Sequence, residues 1–174
     1  MRIFIRDFSI GLSTSIILIF SSSAWADCYD PSLASSRYVV QGGEVYDKET
    51  KLTWARCSIG QHWEEGIGCE GAVERMTWDE AMQQGGGLWR VPSVKELETL
   101  ASKVCNKLAI NEVIFPNMEM DPWYFTFYWA SDPKKINIRS NWLTYAVDFY
   151  FGQDHFCESC STTKYAVRLV RGGQ

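Results

Sequence analysis

Two periodicities run along this chain, one of period two and one of helical spacing, and they divide it into elements. Val45-Tyr46 and Leu52-Thr53-Trp54 alternate apolar and polar positions around the polar run Asp47-Lys48-Glu49-Thr50, the pattern of a hairpin. Tyr128-Trp129-Ala130, Trp142 to Phe149 and Tyr165 to Val170 are rich in aromatic or β-branched residues and are separated by polar loops, so they predict further strands. Helical spacing follows two start signals. Thr77-Trp78-Asp79-Glu80 and Ser93-Val94-Lys95-Glu96 fit the capping box, in which the hydroxyl accepts from the amide three residues on and the Glu carboxylate accepts from the cap's own amide. The first helix is expected to run through Ala81 and Met82 and to stop at Gly85-Gly86-Gly87. The second sets Val94, Leu97, Leu100 and Val104 on one apolar stripe. Leu88 to Pro92 reads as a short extended segment between them. Helices in the first half and strands in the second predict an α+β domain, its helices packed on a largely antiparallel sheet.

The N-terminal pattern is different in kind. Arg2 and Arg6 precede an apolar stretch from Ile10 to Phe20, then small residues ending in Ala24-Trp25-Ala26, the order of a signal peptide cut after Ala26. Ser13, Thr14 and Ser15 interrupt the apolar run, leaving it too short to anchor stably in a hydrocarbon core about 30 Å thick. Residues 1–26 are therefore read as a signal peptide and 27–174 as one domain, periplasmic or secreted and without membrane insertion after cleavage. Cys28 lies one residue too late for a lipoprotein, behind the charged Asp27. No linker, charge run or repeat divides the remainder. Removing Arg2, Arg6 and Asp7 from the 17 basic and 21 acidic residues leaves 15 and 20. A net charge near minus five argues against nucleic acid or anionic lipid as partner, since both need clustered cations.

All six cysteines, Cys28, Cys57, Cys69, Cys105, Cys157 and Cys160, follow the expected cut. An even count in an oxidising compartment predicts three disulfides, each contributing roughly 2–4 kcal/mol. Six cysteines permit 15 pairings. Cys57 and Cys69 flank a glycine-rich polar stretch, so a bridge closing that loop is the favoured pair. Cys157-x-x-Cys160 invites a redox reading, but a reactive pair wants its first sulfur at a helix N-terminus, and this one sits in loop-like sequence. Structural pairing is the expectation. With only His62 and His155 available, a zinc site is not expected, and no metal or cofactor is assigned.

A series of short strings carries a resemblance. Gly43-Glu44-Val45-Tyr46-Asp47, Leu52-Thr53-Trp54-Ala55-Arg56, Thr77-Trp78-Asp79-Glu80-Ala81, Trp89-Arg90-Val91-Pro92-Ser93 with Glu96-Leu97, Phe115-Pro116-Asn117, Tyr128-Trp129-Ala130-Ser131, Val147-Asp148-Phe149 with Gly152, and Tyr165 to Arg171 occur in one order. In that order they resemble the Lcl C-terminal domain family, over residues 41–171. The resemblance implies a C-type-lectin-like fold related to the formylglycine-generating enzymes: two helices on curled antiparallel sheets, disulfide-stapled, with long variable loops. It implies that Trp54, Trp78, Trp89 and Trp129 are core or near-core aromatics, each indole N–H finding one partner. On the same reading Glu96 is a capping carboxylate, and Arg90 and Arg168 anchor loops or carboxylates.

Catalysis has little to stand on. The chain lacks a nucleophile elbow, a zinc-protease motif and a phosphate loop, and Cys157 and Cys160 have none of the flanking motifs of the formylglycine-generating enzymes. A calcium lectin site is also poorly supplied, because Lys134 follows Asp132-Pro133 and Leu143 follows Asn141-Trp142 where oxygen ligands would be needed. What remains is binding. Residues 123–129 hold six aromatics in seven positions, more than one strand can bury. Trp123, Tyr124 and Phe125 are candidate anchors of a protein interface, and Tyr150 and Phe151 with Asp154 and His155 form a second candidate patch. The expectation is a non-catalytic exported binding module for a protein partner, a toxin or enzyme held by an inhibitor or immunity-type protein. Metal-independent glycan binding is the alternative.

Overall fold

The computed structural model describes residues 36–101, 110–118, 126–132, 135–136, 142–149, 153–158 and 162–173. Within these residues it is an α+β arrangement of short antiparallel strands and two one-turn helices. A four-stranded sheet of order β1-β2-β3-β10 joins β1 (Tyr38–Gln41), β2 (Glu44–Asp47), β3 (Leu52–Ala55) and β10 (Val170–Gly172). β4 (His62–Glu64) and β5 (Gly68–Glu70) form a separate hairpin. Helices α1 (Trp78–Ala81) and α2 (Val94–Glu98) follow. The last sheet is centred on β8 (Trp142–Asp148), which pairs with β6 (Phe127–Trp129), β7 (Lys135–Ile136) and β9 (Gln153–Glu158).

Local chemistry accounts for the turns and caps. Asp47 is fully buried at the end of β2, where its carboxylate accepts from the Glu49 amide at 3.0 Å, the Thr50 hydroxyl at 2.8 Å and both arms of Arg37 at 3.0 and 2.6 Å. Burial alone would raise this carboxyl, but those donors outweigh it and hold it below the usual carboxylate range. That network closes the hairpin anticipated from Asp47-Lys48-Glu49-Thr50. Both capping boxes are formed, Thr77 with Glu80 and Ser93 with Glu96. The helices are shorter than expected. α1 ends at Ala81 with Met82 as its C-cap, so the three glycines do not terminate it. They shape a tight hairpin in which Gly86 and Trp89 exchange main-chain hydrogen bonds at 3.1 Å in each direction. Gly87, at φ 59°, occupies the first turn position, which suits a two-residue loop. At Gly85 a Cβ would lie 2.5 Å from the Trp89 carbonyl oxygen, so no other residue fits there.

The strands are not confined to the second half. Five precede α1, and three of these, β1, β4 and β5, have no counterpart in the sequence reading. Val104 lies outside the described residues, while Leu97 and Leu100 of the apolar stripe are buried. Cys157 lies in strand β9, not in a loop.

Two apolar clusters lie on opposite faces of the β8 sheet. Val45, Leu52, Trp54 and Val170 of the first sheet meet Leu97, Leu100, Phe115, Tyr128, Val147 and Phe149. Ala146 and Trp129, one position along from Val147 and Tyr128, pack instead with Met76, Ala81, Val91 and Val167. Because adjacent strand residues point to opposite faces, β6 and β8 must be apolar on both, which is why their sequences run continuously instead of alternating. Among the described residues no helix is long and apolar enough to cross a membrane.

Candidate outer face of the first sheet

The register of the first sheet sorts its residues into two rows. Val40 faces Val45, Val45 faces Trp54 and Trp54 faces Val170; of this inner row Val45, Trp54 and Val170 enter the core, while Val40 at the sheet's edge stays exposed. One residue along, Val39 faces Tyr46, Tyr46 faces Thr53 and Thr53 faces Arg171. An antiparallel bridge between Arg90 and Val170 continues the sheet, and the same register sets Trp89 opposite Arg171. Val39, Tyr46, Thr53, Arg171 and Trp89 therefore form one straight row across the outer face. With strands about 4.8 Å apart, it is roughly 19 Å long.

The row is ordered by its own contacts. The Arg171 guanidinium carbon lies 5.0 Å from the Trp89 ring centroid, and the same guanidinium donates to the Glu44 carboxylate at 2.5 Å. Those two charges cancel, so this stretch of the face is neutral. Val39 and Tyr46 are 41% and 38% exposed, and Leu88, at the tip of the hairpin beside Trp89, is 78% exposed. Behind the row, Arg90 grips Glu96 with two bonds at 2.8 and 2.6 Å and donates to the Gly172 carbonyl at 3.1 Å, tying α2 to β10. Burial pushes the Glu96 carboxyl up, yet the Arg90 and Ser93 hydrogen bonds prevail and hold it below the usual carboxylate range. Glu96 is thus a capping and anchoring carboxylate.

The remaining buried cations are also structural. Arg168 is fully buried; it donates to the carbonyls of Ala55 (2.8 Å) and Arg56 and lies near the faces of Phe115 and Tyr128. Arg56 donates to the carbonyls of Gly42, Val113 and Ile114 at 2.8–3.1 Å and stacks 3.9 Å from the Trp63 ring centroid. Both guanidiniums stitch loops together through main-chain oxygens.

The tryptophans divide. Trp54 and Trp129 are fully buried, and Trp78 is half-buried. Trp129 and Trp78 donate to the carbonyls of Met76 and Ala130 at 2.7 and 2.9 Å. Trp54 departs from expectation, because its indole N–H has no partner among the described residues. Trp89 departs further: its register sets it on the outer face, not in the core.

Trp123, Tyr124, Phe125, Tyr150 and Phe151 lie outside the described residues. Asp154 and His155 are on β9, at the register positions opposite Val147 and Ala146. The described residues flanking the two candidate segments are joined: the Phe149 amide donates to the Thr126 carbonyl at 3.0 Å, and the Thr126 amide to the Asp148 carboxylate at 3.2 Å. The chain therefore enters β6 and leaves β8 at one end of the same sheet. Of the cysteines, Cys57 and Cys69 are bonded as favoured. Cys28, Cys105 and Cys160 lie outside the described residues, as does the side chain of Cys157.

Sequence reasoning missed the outer row. The turn pair Gly42-Gly43 ahead of Glu44–Asp47 was the available signal for its first half. Two open clefts lie elsewhere on the described surface. One, of about 500 Å³, is lined by Gln61, Cys69, Glu70, Gly71, Val73 and Asn117, with Asn117 donating to the Cys69 carbonyl at 2.7 Å. The other, of about 210 Å³, lies between α1 and Lys164. Among the described residues no group of three or more His, Cys, Asp or Glu side chains is placed to hold a metal ion.

The family model described as the Lcl C-terminal domain matches residues 43–171. No curated protein and no solved structure matches the chain.

Proposed function

We propose, from the premise that this chain belongs to the Lcl C-terminal domain family, that it is a non-catalytic exported module that binds a protein partner. The single observation behind the reading is the outer row. Tryptophan, tyrosine and arginine dominate binding hot spots, and here one of each lies in a line on a rigid sheet, neutral overall and flanked by the exposed Val39 and Leu88. Such a face suits a partner that offers an apolar anchor ringed by hydrogen-bonding groups. It supplies no histidine, cysteine or pair of free carboxylates for general acid–base chemistry. An inhibitor or immunity-type role in the periplasm or outside the cell, on a C-type-lectin-like frame, is the form this reading takes. The aromatic segments adjoining the Thr126–Phe149 end of the second sheet are a further contact region within it.

Affinity capture from periplasmic and secreted extracts with the oxidised mature chain tests it. A near-stoichiometric protein retained by the wild type and lost from a Tyr46→Ala/Trp89→Ala variant is the expected result. Loss only from Trp123→Ala/Tyr124→Ala would move the contact to the second sheet. Retention of no protein, together with tight oligosaccharide binding, would sink the reading.

One observation favours the alternative of metal-independent glycan binding. The larger cleft is rimmed by the amides of Gln61 and Asn117 and the Glu70 carboxylate and walled by the Cys57–Cys69 disulfide, a polar and stiffened groove able to hydrogen-bond sugar hydroxyls.

A further inference from the structure

The outer row ends at Val39, on a strand that lies at the sheet's edge. Lys48 donates to the Arg37 carbonyl at 3.0 Å, which makes Arg37 and Lys48 a hydrogen-bonded pair. Bonded and non-bonded pairs alternate along an antiparallel ladder, so Val39–Tyr46 and Gln41–Glu44 are bonded pairs, while Tyr38–Asp47 and Val40–Val45 are not. The main-chain N–H and C=O of Tyr38 and Val40 therefore point away from β2. Among the described residues nothing pairs with them. Among the described residues this edge carries none of the usual protection. Tyr38–Gln41 contains no charge, no proline and no bulge, and Val39 and Val40 are 41% and 44% exposed.

We propose that β1 pairs antiparallel with β1 of a second copy of this chain, about a two-fold axis through Val39. This goes beyond the partner reading and stands without it. The case for a second copy is self-complementarity. In this register Tyr38 faces Val40 of the second copy and Val40 faces its Tyr38, so all four outward N–H and C=O groups find partners within the strand. Shifting the axis by one residue to either side leaves one of these pairings to a residue outside β1. The side chains agree with that register. Val39 meets its own copy on the outer face. The exposed Val40 meets Tyr38, whose ring is already fixed edge-on to Phe115 at 6.2 Å. No like charges oppose one another within the paired strands, because Tyr38–Gln41 carries no charge. The two-fold axis is perpendicular to the sheet, so outer faces stay outer. The row from Trp89 to Val39 then continues from Val39 to Trp89 of the second copy, one isologous surface with two identical halves. A partner engaging both halves would gain avidity that a single copy lacks.

Sedimentation of the oxidised mature chain from about 1 to 200 µM, the range in which a modest interface of this kind is populated, reads the outcome. The wild-type mass is expected to rise from one copy toward two. Val40→Pro removes only an outward donor, so it should leave the far-ultraviolet circular dichroism unchanged and keep the protein at one copy throughout. Val39→Lys should also remain at one copy by opposing two charges across the axis. Mixing Val39→Lys with Val39→Glu should restore the two-copy species, which neither forms alone, and this decides the matter even if Val40→Pro fails to fold. A wild type that stays at one copy, variants that associate as the wild type does, or a mixture that stays at one copy would each overturn the proposal. Partner capture by the one-copy Val40→Pro variant, whose change lies off the outer row, would leave the binding function standing.

Discussion

The two faces of the first sheet use the same strands, one residue out of step, and end in opposite roles. The inner row, Val40, Val45, Trp54 and Val170, reaches Arg90, which is locked bidentate on Glu96. The outer row, Val39, Tyr46, Thr53 and Arg171, reaches Trp89, and its arginine is held by Glu44. Each face thus closes with an arginine–glutamate pair, but the surroundings differ. Glu96 is only 20% exposed and also caps α2, whereas Glu44 is 40% exposed and sits within strand β2. Residue type does not distinguish core from outer-face positions here. Trp54 and Trp89, or Arg90 and Arg171, are told apart only by which side of a pleated sheet they occupy.

Trp54→Ala should break the comparison most strongly, because it empties the centre of the inner row. A loss of about 3–5 kcal/mol is expected in denaturant unfolding, enough to unfold much of the population of a marginal domain. The orphaned indole N–H softens this slightly, and Trp54→Phe should cost visibly less. A loss under about 1 kcal/mol for the alanine variant would mean that the inner row is not the core.

Acidification sharpens it next. Asp47 and Glu96 both titrate below the usual carboxylate range in the folded chain. Their stabilising contribution is therefore fully present above the unfolded carboxylate pKa of about 4 and is lost as pH falls through the lower folded values. Thermal midpoints should stay level from neutral pH to about 5 and then drop steeply. Glu96→Gln keeps the cap but not the charge, so it should cost about 1 kcal/mol at pH 7 and make the acid drop shallower. An unchanged acid limb would remove Glu96 from the account.

The smallest stability effects belong to the outer row. Tyr46→Ala and Arg171→Ala should each alter unfolding free energy by no more than about 1 kcal/mol, since they remove exposed contacts and a surface ion pair. Both should nevertheless abolish partner capture. Outer-row variants that unfold the chain would collapse the distinction between the faces.

The legibility of these features follows the sequence distance over which each is made. The hairpin around Asp47 to Thr50, both capping boxes and the Cys57–Cys69 bridge, closed across a separation of 12, were readable because every participant lies within one turn or loop. β1 escaped because Tyr38–Gln41 is too short and too exposed to show a clear alternation. β9 escaped because a C-x-x-C looks like a loop until a long strand pairs beside it. The candidate aromatics at 123–125 and 150–151 were found by composition alone. Composition could not indicate that their flanks, Thr126 and Phe149, meet.

By itself, then, the sequence determined the family, the α+β class, the helix starts, the Asp47–Thr50 turn and the Cys57–Cys69 disulfide; the turn, the caps and the bridge are consequences of local hydrogen bonding and chain geometry. Only the tertiary structure decided that β10 returns to β3, that Arg90 reaches a carbonyl 82 residues away, and that Arg168 clamps the end of β3 across more than 110. It likewise decided that Trp89 and Arg171 complete a row begun at Val39. Cross-strand neighbours are chosen by which surfaces can be buried together, a property of the packed whole that leaves no mark at either partner's place in the chain.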